Sequence, residues 1–266
     1  MPKSPDYPEL ETARSGWRFQ PDDDCLRGKA VLVTGAGDGI GAAAAKTYAC
    51  YGADVILLGR TRPKLESVFD WIEAETDTRP VIVPCELRAL DDASADALHD
   101  AIAEGYGRLD GILHCASALG PKVPIAHYPT AAWQEVLQVN ATAPFLLTRT
   151  LLPLLNAVPA ASVVLVSSTV GRQGRAYWGA YAVSKHALEG LMEVLADEHE
   201  HAGIVRINSL NPGATRTAMR AAAYPAEDPA KVPTPEERMD IFVYLMADAS
   251  SSVSGEALDA RDWAGR

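Results

Sequence analysis

The chain has 266 residues, 48% of them hydrophobic and 22% charged, with a formal net charge of -11. That length and apolar content suffice for one large α/β core, and the negative balance argues against a surface for nucleic acid or an anionic membrane. Four scattered cysteines, Cys25, Cys50, Cys85 and Cys115, form no CxxC pair, so reduced thiols in a cytoplasm are expected, with small molecules and further copies of the chain as partners.

Residues 1–28 are polar and proline-containing, with acidic Asp22, Asp23 and Asp24 and no periodicity. They predict an extension, packed on the surface or partly disordered, ahead of a domain over residues 29–266. No stretch there suits a signal peptide, and no run approaches the roughly 18 apolar residues of a spanning helix, so no membrane association is expected.

From Lys29 the character changes. Ala30, Val31, Leu32 and Val33 form an apolar run too short for a buried helix, which reads as a parallel strand. The turn after it is Thr34, Gly35, Ala36, Gly37, Asp38, Gly39, Ile40 and Gly41, opening an alanine-rich helix. Glycines 35, 39 and 41 permit a tight turn, close approach of backbone to a pyrophosphate and tight helix-on-strand packing, and the helix amino terminus favours the negative charge. A second strand over 54–58 ends in Gly59-Arg60-Thr61-Arg62. An acidic residue there would suit the 2'-hydroxyl of NAD. Two arginines suit a 2'-phosphate, so NADP(H) is expected in preference to NAD(H), through Arg60, with Arg62 either sharing that role or facing solvent.

Helices over 64–75 and 91–104 alternate with strands over 81–84 and 109–115, a rhythm that predicts a parallel sheet covered on both faces. Glu86 and Leu87, just past the third strand, are placed either to touch an adenine or to sit in a solvated loop. A long helix follows over 131–155, interrupted by Asn140 and Pro144, for which a kink with a functional carboxamide is one explanation. The strand over 162–168 delivers Ser167 and Ser168 to the carboxyl edge of the sheet, where ligands bind in this architecture.

Tyr181 and Lys185 then stand four apart in the helix-compatible run 180–195, on one face. A fixed positive charge beside a phenol favours the phenolate and lowers its pKa, so a tyrosine so tuned can pass a proton to or from an oxygen. Carbonyl-to-alcohol conversion needs that proton and a hydride, and a nicotinamide supplies the latter. Residues 214–240 hold four prolines and suit a mobile lid, with an alanine-rich start that suggests apolar pocket walls. A helix over 235–247 and a strand over 255–258 close the chain. His199 and His201 lie two apart on a helix and face different ways, so no metal site is expected. Arg172 and Arg175 suit either a substrate anion or structural ion pairs.

Taken together, the turn at 34–41, Asn140, Ser168, the Tyr181–Lys185 pair and Asn211-Pro212-Gly213 with Thr215 and Thr217 resemble the classical short-chain dehydrogenase/reductase family over residues 29–255. The wording of residues 170–180 and 215–220 resembles more narrowly its YciK-type bacterial oxidoreductases. The resemblance implies a single-domain Rossmann fold, a doubly wound, mostly parallel seven-stranded sheet with helices on both faces. It implies an NADP(H)-dependent interconversion of a carbonyl and a secondary alcohol, in a homodimer or homotetramer paired through the helices after the fourth and fifth strands. In it Tyr181 handles the proton, Lys185 lowers its pKa and binds the nicotinamide ribose, Ser168 bonds the substrate oxygen, and Asn140 holds a water relaying protons to Lys185. Pro212 and Gly213 shape the turn aligning the nicotinamide, and Thr215 or Thr217 binds its carboxamide or phosphate. The family's Asn-Ala-Gly after the fourth strand reads Cys115-Ala116-Ser117 here, which predicts weaker cofactor binding, and Glu86 stands where aspartate is usual. The competing class is a dinucleotide-binding sensor or scaffold with little turnover, which would not need the set Asn140, Ser168, Tyr181 and Lys185.

Overall fold

Short apolar runs form the middle of the molecule. The computed structural model describes residues 5–265, in which seven strands make one sheet: β1 (Ala30–Thr34), β2 (Asp54–Gly59), β3 (Val81–Pro84), β4 (Gly111–His114), β5 (Ala161–Val166), β6 (Val205–Asn211) and β7 (Ala257–Asp259). Their order is β3-β2-β1-β4-β5-β6-β7, and every neighbouring pair is parallel. Because the order reverses between β1 and β4, a crevice opens at their carboxyl ends. The chain is thus one doubly wound Rossmann-type α/β domain.

The helices are α1 (Pro8–Arg14), α2 (Gly39–Cys50), α3 (Arg62–Glu75), α4 (Asp92–Tyr106), α5 (Thr130–Leu137), α6 (Ala143–Asn156), α7 (Gly179–His199), α8 (Ala218–Ala223) and α9 (Met239–Met246). Alternation along each strand decides which side each residue serves. Val31, Val33, Val55 and Leu57 face α2, α3 and α9, whereas Leu32, Ile56, Leu58, Val163 and Leu165 face α4, α6 and α7. With both faces covered, β1, β2, β4 and β5 are largely apolar on both sides.

β6 is announced by no such run. Its sequence, VRINSLN, places Arg206, Asn208, Ser209 and Asn211 in the interior. Each has partners there: Arg206 donates to the carbonyls of Leu245 and Ala247, Asn208 Nδ2 to Val253 O at 2.9 Å, and Asn211 Nδ2 to Asp259 Oδ2 at 2.7 Å. Hydrogen bonds, not apolar patterning, admit this strand to the core.

The interrupted long helix is two helices, α5 and α6, joined by a π-helical turn at Gln138–Thr142. The wider turn turns Asn140 inward, where it is buried. Residues 214–240 hold α8 and short 3₁₀ turns at Pro229–Lys231 and Glu236–Arg238. Thr217 caps α8 by accepting from Arg220 N at 3.1 Å.

Residues 1–4 of the amino-terminal extension lie outside the described residues; the rest is built into the core. α1 buries Leu10 and Ala13, and Tyr7 and Trp17 flank it, both buried. Tyr7 Oη donates to Glu236 Oε1 at 2.8 Å, Trp17 Nε1 to Glu236 O at 3.0 Å, and Arg18 N to Asp240 Oδ2 at 3.0 Å. Aromatic residues spaced through a polar segment follow no simple period, yet each finds a pocket on α2, α3 or α9. Trp17→Ala should therefore cost about 3 kcal/mol, as for other buried aromatic truncations, read as a lower urea midpoint at an unchanged slope.

Candidate active site

α7 carries Tyr181 and Lys185 one turn apart, and both are buried. Lys185 Nζ donates to the Val166 carbonyl at 2.7 Å, anchoring it to the carboxyl end of β5, and lies 5.7 Å from the centre of the Tyr181 ring. Burial dominates both groups. It pushes the Tyr181 phenol up to about 12, against a hydrogen bond from Ser168, and pushes Lys185 down to about 8, against Cys115 and Glu189. The phenol is thus raised where a lowering by the lysine was expected, because burial disfavours the phenolate more than the Ser168 hydrogen bond favours it. With its pKa pushed up, the phenol is protonated at neutral pH.

The two serines after β5 divide their work. Ser168 lines the cleft beside Tyr181. Ser167 is buried and donates to Glu189, whose other carboxylate oxygen accepts from Ser209 of β6. Arg172 Nε reaches the same carboxylate at 3.2 Å and its Nη2 donates to Leu258 O at 2.8 Å, so Arg172 serves an internal ion pair. Glu189 went unread in the sequence, although it stands four residues past Lys185 on the same face of α7. It ties β5, β6 and the turn at 169–172 to the helix that bears Tyr181 and Lys185. Asn140 makes a parallel connection. Its Oδ1 accepts from Ala118 N at 2.7 Å, and its Nδ2 donates to Ala118 O at 2.9 Å and Ser184 Oγ at 3.0 Å.

The other end of the cleft, about 640 Å³ in all, is made by the turn after β1. Thr34 Oγ1 accepts from the backbone of both Cys115 and Ala116 at 3.0 Å, binding the ends of β1 and β4 together. Gly35 has φ +71°, and a Cβ there would stand 2.9 Å from Ala116 Cα; a Cβ on Gly41 would collide with the Gly35 carbonyl. Only glycine permits this tight strand-to-helix turn. Gly37, Gly39 and Ile40 line the same space, and Asp38 stands at the amino terminus of α2 in an ion pair with Lys64.

At the end of β2 the two arginines separate. Arg62 Nε is held by Glu66 Oε1 at 2.8 Å, while exposed Arg60 lines the cleft. Lys64 lines it too, a cation the sequence reading did not single out. Glu86 and buried Leu87 form the wall opposite, with Arg88 3.6 Å from the Glu86 carboxylate. Pro212 and Gly213 border the cleft from β6, with Gly213 N donating to Asn211 Oδ1 at 3.1 Å. Thr217 is committed to capping α8, but Ser117 and Thr215, which also line the cleft, have buried hydroxyls without a partner among the described residues. Orphaned hydroxyls are costly unless something else meets them. With the glycine cradle and the unpaired Arg60, they fit a phosphorylated dinucleotide. Among the described residues no group of three or more His, Cys, Asp or Glu is placed to hold a metal ion, and no helix is long and apolar enough to cross a membrane.

A parallel sheet with a glycine-lined switch point and a Ser–Tyr–Lys group at its carboxyl edge defines a dinucleotide-dependent oxidoreductase of Rossmann type. The model of the short chain dehydrogenase family matches residues 29–228, and the chain belongs to that family. Within it the chain is similar to the oxidoreductase YciK of Escherichia coli K12, 49% identical over 243 residues that cover 91% of this chain and 96% of that one. A short chain dehydrogenase from Shigella flexneri solved in complex with NADP is 48% identical, covers 90% of this chain and 100% of its own, and superposes with a TM-score of 0.88. One from E. coli CFT073 complexed with NADPH is 49% identical, with 91% and 100% coverage and the same TM-score.

The buried lysine has a consequence for stability. Its folded pKa, about 8, lies below its usual 10.5, so the folded chain binds fewer protons than the unfolded one between those values. The penalty is fully present below pH 8 and is lost as pH rises towards 10.5. Lys185→Met should remove it, so the stability difference between variant and wild type, measured by urea unfolding, should favour the variant most at pH 7 and shrink above pH 8.

Proposed function

We propose that the chain is an NADP(H)-dependent oxidoreductase that interconverts a carbonyl and a secondary alcohol, with Tyr181 as the general acid and base. The observation that carries this is the buried, protonated phenol of Tyr181 beside Ser168, at one end of a cleft whose other end is a glycine cradle with Arg60 unpaired. When bound, the nicotinamide supplies the hydride. In reduction, Tyr181 donates its proton to the substrate oxygen, and Ser168 donates a hydrogen bond to that oxygen as charge develops on it. Lys185, charged below about pH 8, stabilises the phenolate left behind, passes a proton to it to restore the phenol, and is itself reprotonated from solvent. Asn140 and Glu189 hold the strand ends against α7, so that these groups stay in register.

At the far end Arg60 supplies positive charge for a 2'-phosphate, with Lys64, held by Asp38, beside it, and the complexes of two relatives with NADP and NADPH support the phosphorylated cofactor. The turn at 34–41 holds the pyrophosphate, Glu86 and Leu87 border the adenine, and Cys115, Ala116, Ser117, Pro212, Gly213 and Thr215 line the nicotinamide side. Thr215 is preferred to Thr217 because its hydroxyl is unspent. Phe145 on α6 and Val183 and Val194 on α7 are exposed apolar residues, which supports a homo-oligomer paired through these helices. Free cysteines suit a cytoplasmic enzyme.

The decisive test follows NADPH oxidation across a panel of ketones and aldehydes. Tyr181→Phe should lower turnover about a hundredfold or more while NADPH binding persists; unimpaired turnover would remove Tyr181 from its role. Arg60→Asp should raise the KM for NADPH and move preference towards NADH, and unchanged selectivity would refute the cofactor assignment.

A further inference from the structure

Beside Tyr181, Ser168, Lys185, Thr217 and Arg220, the rest of the wall at the reacting end is hydrocarbon and ring. Leu119, Trp178, Met219, Ala222, Ala223 and Tyr224 line it, and Leu119, Trp178 and Met219 pack on the small apolar cluster that holds Tyr181. The Trp178 ring centre lies 5.6 Å from that of Tyr181 and 5.9 Å from that of Tyr224, which makes a continuous aromatic wall. None of the six carries an amide, an imidazole or a charge.

The cations nearby are already engaged. Arg220 lines the cleft, but its guanidinium makes a two-point ion pair with Glu227, 2.6 Å at each contact, and stacks 3.8 Å over the Tyr224 ring. Lys122 donates to Ala223 O at 2.7 Å and sits 4.6 and 4.7 Å from the ring centres of Trp178 and Tyr224, without lining the cleft. Arg172 is turned to Glu189 and Leu258, and Lys185 to Val166. Exposed Glu135 also borders the cleft, with the sign that repels an anion. An acid would have to break one of these pairs to find a counter-charge, and a polyol would lose water without matching partners. An apolar ring would lose only unfavourable contact with water and could pack edge-on or offset against Trp178 and Tyr224.

We infer that the substrate is a neutral, apolar carbonyl compound bearing an aromatic or alicyclic ring, seated against Trp178, Met219 and Tyr224, and not an acid, a sugar or a thioester of an anionic carrier. This rests on the reading of Tyr181 and Ser168 as the reacting end. Its test is a pair of near-isosteric ketones, neutral 4'-nitroacetophenone and anionic 4-acetylbenzoate, titrated calorimetrically into the enzyme with and without saturating NADP+, a combination that cannot react. The neutral ketone should bind at least about tenfold more tightly. Trp178→Ala should reduce that preference, and Met219→Lys, at a partly exposed position, should turn it towards the carboxylate.

Equal or tighter binding of 4-acetylbenzoate, binding of neither ketone, or a preference untouched by both substitutions would overturn the inference. The underlying reading fails separately. If the neutral ketone binds but no ketone in the panel oxidises NADPH, the reductase assignment falls and the ligand class stands. If NADP+ itself does not bind, the titration of the free enzyme still decides the ligand class.

Discussion

A lysine taken out of water must keep a partner or lose its charge, and the 2.7 Å hydrogen bond from Lys185 to the Val166 carbonyl is what lets this one remain inside. The bond has a mechanical side as well as an electrical one. It clamps α7 to the carboxyl end of β5, the edge from which Ser168 enters the cleft, so one contact both satisfies the ammonium and positions Lys185 and Tyr181. Glu189 reinforces it a turn further along, holding Ser167 and Ser209 and receiving Arg172. A carboxylate in such surroundings is costly unless fully bonded, and here hydroxyls and a guanidinium surround it. The site is accordingly stiff at its base and lined with softer, apolar residues at its mouth.

Most of the fold was legible in the sequence because most of it rests on two periodicities. The β1 run, the glycine turn and the α2 alanines announce one another, and strand and helix alternate visibly as far as β5. Legibility fails where polar residues are buried. β6 hides because Arg206, Asn208, Ser209 and Asn211 look like surface, and only the acceptors at Leu245, Ala247, Val253 and Asp259 explain them. Glu189 hides for the same reason. Tyr181, Lys185, Ser168 and the glycines could be named from motif spacing, but the direction of the phenol's pKa could not, because that depends on how completely the surrounding side chains exclude water. The π-helical turn at Asn140 lies between these cases: an awkward asparagine was visible, but the geometry that makes it useful was not.

The replacement of the family's Asn-Ala-Gly by Cys115-Ala116-Ser117 has a structural answer. The backbone at 115 and 116 is held by Thr34 Oγ1, whatever side chains follow. The close approach falls to Gly35, which has no Cβ to meet Ala116. Ser117 adds a hydroxyl at the cleft wall in exchange for the lost glycine. A departure that reads as a loss in one dimension thus leaves the strand ends joined and places another polar atom beside the ligand space.

The burial of the amino-terminal segment bears on how the chain is completed during synthesis. Tyr7, Trp17 and Arg18 bond to Glu236 and Asp240 across separations of 229, 219 and 222 residues, and the Arg18 guanidinium reaches the Trp263 carbonyl, 245 residues away. Phe19 likewise packs against Tyr244 and Trp263. Residues 7–19 therefore wait for residues 236–263 before their aromatic side chains are covered. Contacts of such span close late and slowly, and until they form, α2 and α3 lack part of the cover on their outer side. The two segments act as a clasp whose halves are separated by more than two hundred residues of chain.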